Sequence, residues 1–117
     1  MTPAETKQSY IAAMNAAGET ISIRRLAAPG DSPAYTDTDL RARVTGYQEH
    51  ELVGTIQQGD RKIIALADDL IDAGFPVPVT ANDKVMLRGK RLAIVAVDDS
   101  TRRIQGVLIA YEIQARG

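Results

Sequence analysis

Lys84-Val85-Met86-Leu87-Arg88-Gly89-Lys90-Arg91-Leu92-Ala93-Ile94-Val95-Ala96-Val97 is the stretch that decides the fold. Two runs of mostly aliphatic residues meet at Gly89, where a tight turn between antiparallel strands favours glycine, so the stretch reads as a hairpin. Leu92 to Val97 is apolar on both faces, which predicts cover on both: barrel interior on one, a helix or another chain on the other. Toward the C-terminus a polar turn from Asp98 to Arg103 leads into Gly106 to Gln114. There Val107, Ile109, Tyr111 and Ile113 share one face while Leu108, Ala110, Glu112 and Gln114 share the other, the period of a strand with one face in a core. Toward the N-terminus, Pro76-Val77-Pro78 makes a bend. Before it, Gly59-Asp60 introduces Arg61-Lys62-Ile63-Ile64-Ala65-Leu66-Ala67. That run predicts a strand from Asp60 to Leu70, with Asp68, Asp69 and Asp72 at its solvated exit.

The first third adds a helix and further strands. Thr2 can cap a helix, Pro3 suits its first turn, and Glu5 completes a capping box. Tyr10, Ile11, Met14 and Ala17 then recur at helical spacing, and Gly18 is placed to end the helix in a left-handed conformation. The apolar stripe either packs on the barrel or docks on a neighbouring subunit. Ile21, Ile23 and Leu26 alternate imperfectly with polar residues, predicting a strand that shifts phase at Arg24-Arg25 through a bulge. Pro29-Gly30-Asp31-Ser32-Pro33 breaks it, and the polar tract through Asp39 reads as a surface connection. Leu40, Ala42 and Val44 alternate with Arg41, Arg43 and Thr45, a half-buried strand with a basic wet face, ending by Gly46. Residues 47 to 58 commit to neither strand nor core and read as a hairpin arm or projecting loop; long loops in compact domains are usually functional or disordered. The chain thus reads as mainly β: a small antiparallel β-barrel or sandwich with one N-terminal α-helix and a long projecting loop. It forms a single domain over 1–117, with the helix at 3–17, the barrel at 19–117 and the loop at about 47–58.

A length of 117 residues suits one core. The absence of cysteine excludes thiol chemistry and disulfides. No apolar run approaches the ~20 residues that cross a bilayer, and the N-terminus has no secretory pattern. A soluble chain made in the cytosol is expected. The net charge of −1 comes from fourteen cationic and fifteen anionic side chains. Basic pairs at Arg24-Arg25, Arg41 with Arg43, Arg61-Lys62, Arg88 with Lys90-Arg91, and Arg102-Arg103 are interleaved with acids. They read as solvated turn and edge positions rather than a phosphate-binding patch. One Phe, four Tyr and no Trp are too few for a base-stacking platform.

The chemistry-bearing residues are sparse. His50 is the single histidine, and Gly54 stands where a zinc-protease helix would place a second one. No nucleophile elbow surrounds Ser9, Ser22, Ser32 or Ser100. Asp37-Thr38-Asp39, Asp68-Asp69 and Asp98-Asp99 lack the spaced ligands of a calcium loop and read as turn residues. No catalytic, cofactor-binding or metal-binding residue is expected, and no cofactor.

Gly59-Asp60 before an aliphatic strand, Pro76 and Pro78 before Asp83-Lys84-Val85, Gly89 in a hairpin, Ile94-Val95-Ala96-Val97 and the closing Gly106 to Gln114 follow one another over about half of the chain. In this order they resemble the head-closure or head-tail connector proteins of tailed bacteriophages, the stopper class that also occurs in phage-derived gene transfer particles. The resemblance implies a virion protein, synthesised in a bacterial host's cytoplasm, that forms a homo-oligomeric ring between the portal or adaptor and the tail proteins. Packaged DNA passes through that ring, and no membrane is involved. It also implies a long loop reaching toward the channel, matched here by Gln48, Glu49, His50, Glu51, Gln57 and Gln58. Candidate contacts with a subunit or partner are Tyr10, Ile11, Met14, Arg41, Arg43, Arg61 and Lys62. The isolated chain is expected to be monomeric, since ring contacts need a template to offset ordering entropy. The leading helix departs from the stopper pattern and keeps a tail-terminator ring protein as an alternative. From other classes, a β-barrel module binding nucleic acid or ligand, and a hydrolase centred on His50, also remain.

Overall fold

Period-2 alternation closes a sheet on itself in the computed structural model, which describes residues 2–26 and 35–117. After helix α1 (Pro3–Ala17) come β1 (Glu19–Leu26), β2 (Tyr35–Gly46), β3 (Arg61–Leu66), helix α2 (Ala67–Asp72), β4 (Lys84–Leu87), β5 (Lys90–Asp98), β6 (Arg103–Ile104), β7 (Val107–Leu108) and β8 (Ala110–Arg116). Six of the strands form a closed antiparallel barrel in the order β1-β2-β3-β8-β5-β4, while β6 and β7 make a small separate ribbon. Ile21 and Ile23 of β1, Ile63 and Ala65 of β3, Leu92 and Ile94 of β5 and Ile113 of β8 point into the core. The mainly β barrel with an N-terminal helix agrees with the sequence reading.

Helix α1 starts as its cap predicts, with the Glu5 N–H donating to Thr2 Oγ1 at 3.1 Å. Its buried residues are Thr6 and Met14. Met14 joins Ile64, Leu66, Ile109 and Ala110 in a second cluster on the outside of the barrel, with Tyr10 packed against it. The stripe therefore packs on the barrel through Met14 and Tyr10, while Ile11 and Ala17 stay exposed. The helix end differs from expectation: Gly18 has φ −80° and ψ 166°, extended rather than left-handed. What requires glycine there is space, because a Cβ would lie 2.5 Å from the Met14 carbonyl oxygen and 3.2 Å from that of Ala42. Neither backbone atom yields easily. Gly18→Ala is expected to lower unfolding stability by about 1–3 kcal/mol, measured by urea denaturation; an unchanged midpoint would refute the close approach.

Four other expectations are corrected. Strand β1 has no bulge, since it pairs with β2 in unbroken register from Glu19↔Ala42 to Leu26↔Tyr35. Arg25 simply follows Ile21 and Ile23 on the inner face, and Leu26 is 51% exposed on the outer one. The register shift lies instead in β5, between Ile94 and Ala96. The tract read as a connection through Asp39 is strand from Tyr35 onward; residues 27–34 lie outside the described residues. The strand predicted to Leu70 stops at Leu66, because the apolar period changes from two to the helical one. Ala67 and Leu70 of α2 are buried, with Asp68 and Asp69 in its first turn, where the helix dipole favours acids. Gly74, at φ +84°, reverses the chain after this helix. In the C-terminal segment the predicted alternation breaks at Ile109. It sits in the outer cluster and is fixed by its N–H donating to the Arg102 carbonyl and its own carbonyl accepting from Ala67.

Candidate functional site

The segment between β2 and β3 is the long loop, and it is tied down at its base. A single 3-10 turn, Glu49–Glu51, opens it. The Gln48 N–H donates to Glu51 Oε2 at 2.6 Å, closing the turn locally. Lys62 on β3 donates to the other oxygen of Glu51 and sits over the Tyr47 ring, 5.2 Å from its centre. Burial, and then the carboxylates of Glu112, Asp60 and Glu51, push the Tyr47 hydroxyl up to about 12. The Glu51 carboxyl is lowered from its ordinary value by the Lys62 hydrogen bond, helped by the Gln48 N–H.

The far end of the loop is anchored through Asp60, which is 2% exposed. Its carboxylate accepts from the Gln57 N–H at 2.9 Å, from Gln114 Nε2 at 2.9 Å, and from Arg116 Nε and Nη2 at 2.8 and 2.9 Å. Gln114 and Arg116 also donate to the Thr55 carbonyl, at 3.1 and 2.8 Å. The Arg116 guanidinium holds the Asp60 carboxyl well below the usual carboxylate range, against the opposing effect of burial. The last strand thus grips the loop through two residues, Gln114 and Arg116. Between the anchors, Gln48, Glu49, His50, Gln57 and Gln58 are exposed, whereas Glu51 is half-buried and occupied by Lys62. Val53 is 66% exposed. Sequence reading left it out of the candidate site; an aliphatic residue beside Gly54 in a polar loop was the available signal.

The seven contact candidates divide in two. Met14 is buried against the barrel. The Tyr10 hydroxyl accepts from Arg102 at 2.7 Å. Arg41 donates to the Met14 and Gly18 carbonyls at 3.2 and 2.8 Å, capping α1, and Lys62 holds Glu51. Ile11, Arg43 and Arg61 remain exposed.

Ion pairing extends well beyond the loop. Arg24 meets Asp37 across the β1–β2 ladder, Arg25 meets Asp83, Arg88 meets Glu19 and Arg102 meets Glu112. The carboxylate pairs have similar local duties. Asp39 accepts from the Ser22 hydroxyl, Asp68 pairs with Lys7, and Asp98 accepts from the Ser100 and Thr101 N–H groups to close a turn. Among the described residues no three His, Asp or Glu side chains gather as a metal-binding group. His50 is exposed on the loop. Comparison with known proteins finds no family model that matches this chain and no curated protein that is similar to it.

Proposed function

We propose that this chain is a structural ring protein of the neck of a tailed phage or phage-like particle, placed between portal or adaptor and tail, where its loop narrows the DNA channel. The observation that carries the reading is the β2–β3 loop. It lies between early strands of a small closed barrel, as the stopper resemblance implies, and is clamped at its base by Asp60, Gln114 and Arg116 while Glu49, His50, Val53 and Gln58 face solvent. A loop held at the base and free at the crest suits steric closure. Its exposed Glu49 repels a phosphate backbone, so a duplex is blocked or passed without adhering. The role is one of shape and contact, with portal or adaptor, tail proteins and further copies of the chain as partners, and without catalysis.

Replacing residues 49–57 by a short Gly-Ser link is expected to leave cooperative unfolding intact while filled heads lose their DNA. Particles that keep their DNA with the shortened loop would overturn the channel assignment. The helices packed on the barrel favour one second reading, a tail-terminator ring of the same neck. In that case heads lacking the protein hold their DNA, and the defect lies in the tail.

A further inference from the structure

Helix α1, strand β2 and helix α2 enclose an open groove of about 460 Å³. Met14, Leu40 and Leu66 floor it, and Ile11 stands at its rim, 39% exposed. The charged groups lining it are Asp39, Arg41, Asp69 and Asp72. Arg41 is turned to the carbonyls that end α1, and Asp39 accepts from Ser22. Asp69 and Asp72 have no cation within ion-pair distance among the described residues. Burial first, then the neighbouring Asp72 and Asp68, raise the Asp69 carboxyl above its ordinary value. The groove is apolar below and carries uncompensated negative charge at its lip.

In the closed strand order the β2–β3 side lies opposite β5–β4. There Met86 is paired with Arg91, and Lys84 with Ala93. The inner residues of this hairpin, Val85, Leu87 and Leu92, are buried, so these two pairs face outward. Arg91, Ala93 and Ala96 are exposed, and Met86 and Val95 half-buried, so no helix among the described residues supplies the second cover expected for β5. Neither Lys84 nor Arg91 has a carboxylate partner among the described residues, and Arg24, next to Lys84 across the β1–β4 ladder, is already held by Asp37. This face is apolar at its centre and positive at its edge.

We propose that the two faces are the halves of one head-to-tail contact. The β4–β5 face of one copy seats on the α1–α2 groove of the next, with Lys84 and Arg91 against Asp69 and Asp72, and Met86 and Ala93 over the apolar floor. Faces on opposite sides of a barrel make a heterologous contact, which runs on from copy to copy and gives a ring where its rotation closes and a filament where it does not. The contact follows from the faces themselves; its place in a particle rests on the neck reading above.

The cysteine-free chain offers a direct test. Ala73→Cys lies at the groove and Ala93→Cys on the opposite face, both at exposed positions that leave the charges intact. Oxidised at high protein concentration, the double variant is expected to give a ladder of disulfide-linked oligomers, and each single variant only traces of dimer. Adding Lys84→Glu with Arg91→Glu should cut the ladder by at least about tenfold, since like charges then meet. Adding Asp69→Lys with Asp72→Lys to that same chain should restore it, a rescue that a misfolded protein cannot give. Dimer as the main product of either single variant, no ladder from the double variant, or a ladder indifferent to charge reversal would each overturn the contact. A charge-sensitive ladder alongside particles indifferent to loop replacement would leave the contact standing and remove the neck reading. DNA loss on loop replacement without any ladder would do the reverse.

Discussion

Asp60→Ala is expected to lower unfolding stability by about 2–4 kcal/mol and to loosen the loop in the same step. Removing one partner of a buried ion pair costs roughly 3–5 kcal/mol. The lower range applies here because the Arg116 side chain keeps 39% of its surface in water while that of Asp60 keeps 2%. Gln57 N–H loses its acceptor and Gln114 Nε2 keeps only the Thr55 carbonyl of its two, which adds to the loss. Urea unfolding should show a lower midpoint at unchanged slope, with faster amide exchange over residues 48–58. Wild-type exchange in that segment would refute the anchor. The acid response has a definite sign. The folded-state carboxyl of Asp60 is depressed, so its contribution is complete above the unfolded carboxyl value of about 3.9 and is lost as pH falls through the folded one. Asp60→Asn should therefore flatten the decline in stability below about pH 4.

Arg25→Ala is expected to cost a further large amount, about 3 kcal/mol, at the other cross-chain clamp. Its guanidinium donates to both oxygens of Asp83 at 2.9 Å and to the Pro76 and Pro78 carbonyls at 2.6 and 2.8 Å. It also lies over the Phe75 ring, 4.5 Å from the centroid. Without it, a carboxylate that is 2% exposed keeps Thr80 as its one donor residue among the described residues. Arg25→Lys returns the charge but neither the fork nor the planar stacking surface, so it should recover less than half of the loss. Full recovery by lysine, in the same urea measurement, would show that the planar fork is unnecessary.

What could be read from the chain was local and periodic. The hairpin around Gly89 and the capped helix at Pro3 are encoded within a few residues of themselves, and both stand in the structure. Strand β2 was read too short because its inward Thr38 is polar and its outward Asp37 and Asp39 look like turn residues; their partners, Arg24 and Ser22, lie across a ladder. Helix α2 was hidden by the aliphatic run that feeds it without a break. The clamps were invisible for a different reason. Arg25 and Asp83 are 58 positions apart, and Asp60 and Arg116 are 56 apart, so neither spacing leaves a local trace. The loop's location was legible, but its attachment depends on the penultimate residue of the chain.

Closure of the barrel has a further consequence. Because β1 is flanked by β2 and β4, and β8 by β3 and β5, the main sheet among the described residues has no outermost strand whose whole length lies open for a foreign strand to grow on. Copies crowded side by side along the barrel wall would therefore meet mainly through side chains. Such contacts can be dissolved and remade, whereas strand-swapped or fibrous joins would trap the molecules.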